Sequence, residues 1–82
     1  MTDKDILNEL MQILSDLLSD DSIVLTMDTR REEVPGWNSF AYVNFIVAVE
    51  IRFGLTFKVA EVESFQNVGA IVRRISSVLV SR

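Results

Sequence analysis

Two segments, one near each end of the chain, repeat their apolar residues every three or four positions, which is the spacing of one face of an α-helix. The first segment contains Ile6, Leu10, Ile13 and Leu17, with Leu7 and Leu14 beside them, and the last contains Val68, Ile71, Val72, Ile75 and Leu79. In a chain of 82 residues, such faces are buried by packing helices against each other. The pattern therefore predicts an all-α fold.

Polar residues at the start of each segment favour the same assignment. Thr2 followed three residues later by Asp5 is a plausible capping pair, so we expect the first helix at about residues 3–19. Asn67 is a good N-cap for the last helix. Gly69 lies in the first turn of that helix, where it would permit close packing.

The middle of the chain contains a second long helix and a short one. The second helix should begin near Asn38 or Ser39, after the Pro–Gly pair at 35–36, and end at Gly54, a residue suited to a left-handed C-cap. Its β-branched and aromatic residues make a strand an alternative. The length of about 15 residues between stop signals favours a helix. A short helix is expected at roughly 59–64.

The connection after the first helix, DDSIVLTMDTRREEVPG, is long for a compact domain. We interpret it as an ordered crossing loop with one short helical turn, in which Ile23, Val24, Leu25 and Met27 cover the core. The prediction is thus a small four-helix bundle with three main helices, one short helix and a long first connecting loop. It forms a single domain over residues 1–82.

The composition excludes several functions. The chain has no cysteine and no histidine, so it can form no disulfide and carry out no Ser–His or Cys–His catalysis, and we expect neither an enzyme nor a metal site. The net charge of −4 argues against nucleic-acid binding. Residues 1–37 hold nine acidic and three basic side chains, whereas residues 38–82 hold three acidic and five basic ones. The chain has no signal peptide and no apolar run long enough to span a bilayer, so we expect it in the cytoplasm. We also expect it to be a monomer.

Ser39 occupies the point where the loop becomes the second helix, in the stretch GWNSFAYVNF. It could be a helix cap or a surface residue, because a serine oxygen can accept a bond from an unpaired backbone N–H. Alternatively, a hydroxyl at the positive end of a helix dipole is suited to carry a phosphate ester. The chain supplies no base to activate this serine, so another enzyme would have to perform the chemistry.

Three stretches of the chain resemble acyl carrier proteins. GWNSFAYVNFIVAVEIRFGLTF resembles their modification region, which has a Gly–x–Asp–Ser–Leu-like turn, an amphipathic helix and a Glu-rich end leading to Phe–Gly. ESFQNVGAIVRRI resembles their short third helix and the start of their fourth, and DILNELMQIL resembles their opening. The resemblance spans nearly all 82 residues.

The resemblance implies a carrier function centred on Ser39. A phosphopantetheinyl transferase, with Mg²⁺ bound to that enzyme, would move phosphopantetheine from coenzyme A onto the Ser39 hydroxyl. The thiol of this arm would hold an acyl or aminoacyl group as a thioester. Loading and transfer enzymes of fatty acid biosynthesis or secondary metabolism would be the further partners, and the chain itself would be a specialised, non-enzymatic carrier.

The sequence departs from the family pattern around the serine. Asn38 replaces the usual acid, and Phe40 replaces the usual Leu, where it could still anchor the turn. The second helix lacks the usual row of acids, which predicts a more hydrophobic docking face with Tyr42, Val47 and Ile51 as candidates. Alternatively, the crossing loop partly buries Val47 and Ile51.

Further alternatives stay open at this point. Trp37 could cover the edge of the core or stand at an interface beside the arm. The packed phenylalanines could leave little room for an acyl chain in the interior. The basic and acidic pairs at 30–33 largely cancel, and we assign them no role. The alternative function is an unmodified carrier-like module that binds a protein through its apolar second helix.

Overall fold

The computed structural model describes residues 1–82 and contains four α-helices and no strand. The helices are α1 (Asp3–Leu18), α2 (Ser39–Phe53), α3 (Val59–Ser64) and α4 (Val68–Val80), with one 3₁₀ turn at Arg31–Glu33. The predicted all-α bundle with a long first connection is confirmed. The first three helices begin and end within a residue of their expected limits, and the last begins directly after Asn67, as expected. The strand alternative for the second segment is wrong.

The helix ends follow the local signals in the sequence. The Thr2 hydroxyl accepts a bond from the Asp5 amide at 3.2 Å, and the Asp5 carboxylate accepts one from the Thr2 amide at 3.0 Å. The side chain of Asn38 accepts a bond from the Ala41 amide at 2.9 Å. Gly54 has a φ of 64°, the left-handed conformation that favours glycine at a helix end. The predicted caps are therefore confirmed.

The core lies where α1 packs against α2 and α4. Its fully buried side chains include Ile6, Leu10, Leu14, Phe45, Val49 and Ile75. One expected core residue is misplaced, because Leu17 is 38% exposed whereas Leu14 is completely buried. Leu17 lies in the last turn of α1, where the helical periodicity continues but less of the neighbouring chain covers it.

The crossing loop covers one end of the core. Leu25 is buried and Ile23 and Met27 pack partly against the core, as expected, but Val24 is 74% exposed. Val24 lies between Ile23 and Leu25 in an extended stretch, and successive side chains of extended backbone point in opposite directions. The prediction that Val24 covers the core is therefore wrong.

Gly69 fixes the crossing loop to the start of α4. Its amide donates a hydrogen bond to the Met27 carbonyl at 2.7 Å, and the Val68 amide donates one to the Thr29 carbonyl at 2.8 Å. A Cβ atom on residue 69 would lie only 2.6 Å from the Met27 oxygen. The close packing predicted at this glycine is confirmed.

Candidate functional site

Ser39 is the first residue of α2 and is exposed to solvent. Asn38 caps the helix, so the hydroxyl of Ser39 is not needed for capping. The Ser39 oxygen accepts one hydrogen bond, from Nη1 of Arg31 at 3.4 Å. Because the first amides of a helix have no intrahelical partner, this oxygen lies at the electropositive end of α2.

Arg31 is a part of the site that the sequence interpretation missed. It lies in the 3₁₀ turn, eight residues before Ser39, and its guanidinium carbon lies 5.2 Å from the centre of the Tyr42 ring. The neighbouring Arg30 pairs with Glu33, with 3.8 Å between Nε and the carboxylate oxygen. The four charges at 30–33 therefore do not simply cancel, because Arg31 faces Ser39. Only the folding of the crossing loop brings the two residues together.

A groove begins beside Ser39 and runs between α2 and α3, and we call it the α2–α3 groove. Its volume is about 830 Å³, within the range of about 300–1,000 Å³ that is typical of ligand sites. Ser39 and Arg31 line it, and apolar side chains make up most of the rest, among them Val43, Ile46, Val47, Phe57, Val62 and Phe65. The phenylalanines thus leave more room beside α2 than their packing in the sequence suggested.

Trp37 closes the edge of the core next to this groove. It is 3% exposed, and its ring meets that of Phe45 edge to face at 5.0 Å between centroids. The interpretation that Trp37 covers the core is confirmed, and the alternative that it stands free at an interface is wrong. Its Nε1 atom is buried without a hydrogen-bond partner.

Tyr42 connects α2 to α3. Its hydroxyl donates a hydrogen bond to the Val62 carbonyl at 2.7 Å. Burial raises the pKa of Tyr42 above its ordinary value, and Arg31 opposes this only in part, so the hydroxyl stays protonated and can donate. Because Tyr42 is half-buried and bonded within the chain, it offers less of its ring to a partner than the sequence suggested.

Four apolar side chains on α2 are exposed and lie on one face of the helix. They are Phe40, Val43, Val47 and Ile51, exposed by 78%, 58%, 47% and 77%, and we call them the α2 outer face. The alternative that the crossing loop buries Val47 and Ile51 is wrong. The expectation that Phe40 anchors the turn is also wrong, because its side chain points into solvent and Trp37 fills the core nearby.

The two charged residues of α2 are both engaged within the chain. Glu50 accepts a hydrogen bond from the Phe57 amide at 2.8 Å. Arg52 pairs with Glu9 at 3.0 Å. The α2 outer face is therefore formed by apolar side chains, and both charged side chains of α2 are bonded within the chain. No helix of this chain combines the length and the hydropathy needed to cross a bilayer.

Comparison with known proteins identifies the family. No protein-family model and no curated protein matches the sequence. Among solved structures, the chain is similar to the solution NMR structure of a holo acyl carrier protein from Geobacter metallireducens. The similarity has a TM-score of 0.83 and 31% sequence identity, and covers 92% of this chain and 86% of that one. The fold and its serine-bearing second helix define a carrier-type bundle. The chain belongs to the acyl carrier protein family.

Proposed function

We propose that this chain is a carrier that holds an acyl or aminoacyl group on a phosphopantetheine arm attached to Ser39. The observation that supports this most strongly is the exposed hydroxyl of Ser39 at the start of α2, in an acyl carrier protein fold and at the mouth of an apolar groove. We further propose that residues 1–82 act as one domain, as a monomer in the cytoplasm.

The residues around Ser39 fit such an attachment. The hydroxyl is accessible, the start of α2 favours an anion, and no acidic side chain bonds to the serine. The Ser39 oxygen would attack the phosphorus of coenzyme A that bears the pantetheine. The new O–P bond forms as the bond to adenosine 3′,5′-bisphosphate breaks, and the hydroxyl proton passes to a base of the transferase. The arm would supply the thiol that this cysteine-free chain lacks, and cargo would be held there as a thioester.

The α2–α3 groove is the natural shelter for cargo on this arm. It opens at Ser39 and its walls are mainly apolar, so an acyl chain entering it would leave water. Each methylene buried contributes about 0.8 kcal/mol. The groove lies beside the main core, between α2 and the short helix α3, so cargo could leave it without unfolding the bundle.

We propose that the transferase and the loading and transfer enzymes dock on the α2 outer face, together with Asn38 and the exposed rim of Tyr42. This face is continuous with Ser39, so a partner that reaches the serine must cover Phe40 next to it. The four side chains of the face are all apolar, and the two charged side chains of α2, Glu50 and Arg52, are bonded within the chain. Partners of this chain should therefore present an apolar surface rather than a strongly basic one.

Intact-mass spectrometry after incubation with coenzyme A and a broad-specificity transferase tests the attachment. We expect the wild type to gain the mass of one phosphopantetheinyl group, and Ser39→Ala to gain nothing. Ser77→Ala removes an exposed hydroxyl on α4 and should be modified like the wild type. Failure of several transferases to modify the folded wild type would overturn the proposal.

The docking face is tested by the rate of the same reaction in variants of α2. Ile51→Asp places a charge on the apolar face and should lower kcat/KM about tenfold, which corresponds to about 1.4 kcal/mol. Ser77→Asp adds the same charge at an exposed polar position of α4, away from the α2 outer face, and serves as the matched control. Equal rates for the two variants would contradict docking on the α2 outer face.

The exposed α2 outer face also supports a second candidate function, an unmodified module that binds a partner directly. Such a module would use Phe40 and Ile51 but would not need the serine. If a partner captured by the wild type bound Ser39→Ala equally well, and the wild type was never modified, the second function would replace the first.

A further inference from the structure

Arg31 lies beside Ser39 without an acidic partner. The ion pairs of the chain involve Arg30, Arg52 and Arg74, and none involves Arg31. Its side chain is half-buried at the mouth of the α2–α3 groove, where it lies over Tyr42. A guanidinium is always charged in proteins, and partial removal from water strengthens its interaction with any nearby anion.

The hydrogen bond from Arg31 to Ser39 uses little of this capacity. At 3.4 Å it is longer than an ordinary hydrogen bond, and a guanidinium has five N–H groups in a rigid planar arrangement. Paired N–H groups of arginine match the oxygens of a phosphate particularly well. The site thus has a cation and spare donors, but the unmodified chain supplies no anion.

We propose that Arg31 binds the phosphodiester formed on Ser39 and so positions the first bonds of the arm. This inference rests on the proposed function, because the anion exists only after modification. The Ser39 oxygen would become the ester oxygen, and the non-bridging oxygens would lie two covalent bonds beyond it, on the phosphorus and within reach of the guanidinium. The guanidinium lies over Tyr42 and lines the α2–α3 groove, so an anion held by it would start the arm at this groove.

Pairing with the phosphodiester on Ser39 would also make the surroundings of Arg31 differ between the unmodified and the modified chain. Before modification it contacts a neutral hydroxyl at a long distance, and afterwards it faces a negative charge. Lysine could neutralise that charge but could not donate two parallel bonds from a plane. Arg30 has the same charge, is adjacent in sequence and is already paired with Glu33, so it is the matched control.

The experiment compares unmodified and modified forms of the wild type, Arg31→Gln, Arg31→Lys and Arg30→Gln, with modification verified by intact mass. Thermal unfolding gives the change in Tm on modification for each protein, so any effect on the unmodified fold cancels. At low salt, the change in Tm on modification should be more positive in the wild type than in Arg31→Gln by about 2–5 °C. Arg31→Lys should keep part of the wild type's advantage in Tm on modification, and Arg30→Gln should keep all of it.

The ³¹P resonance of the phosphodiester supplies a readout that a purely structural role would not move. It should shift in Arg31→Gln but not in Arg30→Gln, and added salt should move the wild-type resonance toward the Arg31→Gln position. If the transferase rejects Arg31→Gln, the ¹⁵Nε resonance of Arg31 in the wild type decides, and it should shift on modification.

Two failures are distinguishable. A modified wild type with the same change in Tm and the same ³¹P shift as Arg31→Gln, or with an unmoved Arg31 resonance, overturns the role of Arg31 alone. A wild type that gains no mass overturns the carrier function, and the role of Arg31 with it.

Discussion

The two sides of α2 are covered to very different extents. On the core side, Phe45 and Val49 are completely buried in the cluster that joins α1, α2 and α4. On the groove side, α2 faces α3, a six-residue helix that contains no buried residue. The core side is closed by interlocked side chains, whereas the groove side is held by partly buried residues such as Val62 and Phe65 and by a few specific bonds. The proposed function would use both sides, since the bundle would stay folded on the core side while cargo enters and leaves on the groove side.

The bonds that hold α3 are few and can be named. Tyr42 bonds to the Val62 carbonyl, and Phe57 meets Phe65 edge to face at 5.4 Å between centroids. Arg74 of α4 donates to the carboxylate of Glu61. Since short helices are marginal in isolation, these contacts determine how readily the groove side opens. Substitutions on the core side should therefore destabilise the fold more than substitutions on the groove side.

Phe45→Ala should have the largest effect. It removes a completely buried ring from the core side, at a cost of about 3–5 kcal/mol. Because a domain of this size has only a few kcal/mol of net stability, circular dichroism should find the variant largely unfolded. Phe40→Ala removes the same side chain from the solvent-exposed start of α2 and should change stability by less than about 0.5 kcal/mol. Similar losses of stability in Phe45→Ala and Phe40→Ala would refute the difference in burial between the two sides of α2.

Gly69→Ala should destabilise the fold by about 1–3 kcal/mol, because the added methyl group would collide with the Met27 carbonyl and displace the crossing loop. Glycine to alanine in an ordinary helix has the opposite sign, a gain of about 0.5–1 kcal/mol. Ser77→Ala, at an exposed site of α4, is the control and should be neutral or slightly stabilising. Urea denaturation measures both, and a stabilised Gly69→Ala would show that the loop is not held there.

Tyr42→Phe removes one hydroxyl from the groove side. Losing its bond to Val62 should cost about 0.5–1.5 kcal/mol. Amides of α3 should exchange with solvent up to about tenfold faster, while amides near Phe45 change less, since α3 can open without the core. Uniform acceleration across the chain would mean that the two sides open together.

Acid should weaken the groove side through Glu61. Hydrogen bonds from Arg74 and from the Lys58 amide hold the pKa of Glu61 below its ordinary value. A lowered pKa means that this contribution is complete above about pH 5 and is lost as the pH falls through the folded pKa, below 4.5. Glu61→Gln should therefore lose less Tm than the wild type between pH 6 and pH 3.

Glu63→Gln is the matched control, since Glu63 is exposed and forms no ion pair. It should follow the wild-type pH dependence. If Glu61→Gln did so as well, the bond to Arg74 would contribute nothing to holding α3.

The features that the sequence predicted correctly are local ones. The caps at Thr2 and Asn38 and the stop at Gly54 depend on neighbours within a few residues, so the spacing alone was enough to locate the helices. The misplaced residues depend on distant parts of the chain. Phe40 has a core-like side chain but is exposed, whereas the nearby Trp37 is buried. Val24 and Leu25 differ only in which way the crossing loop turns them.

In the candidate site too, the features set by near neighbours could be predicted and those set by distant parts of the chain could not. Ser39 could be found from its position at the start of a helix, because capping and exposure there follow from helix geometry. Arg31 could not be found, since nothing in the run at 30–33 indicates which of the two arginines folds back onto the serine. The α2–α3 groove likewise arises from the placement of α3, which side-chain periodicity does not specify.

The most direct test of the carrier function is the intact mass of the protein purified from the cells that naturally make it, followed by fragmentation to find the modified residue. We expect a population heavier by one phosphopantetheinyl group, with or without cargo, and with the added mass on Ser39. Protein that carries no added mass in its native cells, or an arm on any other residue, would contradict the proposed carrier function.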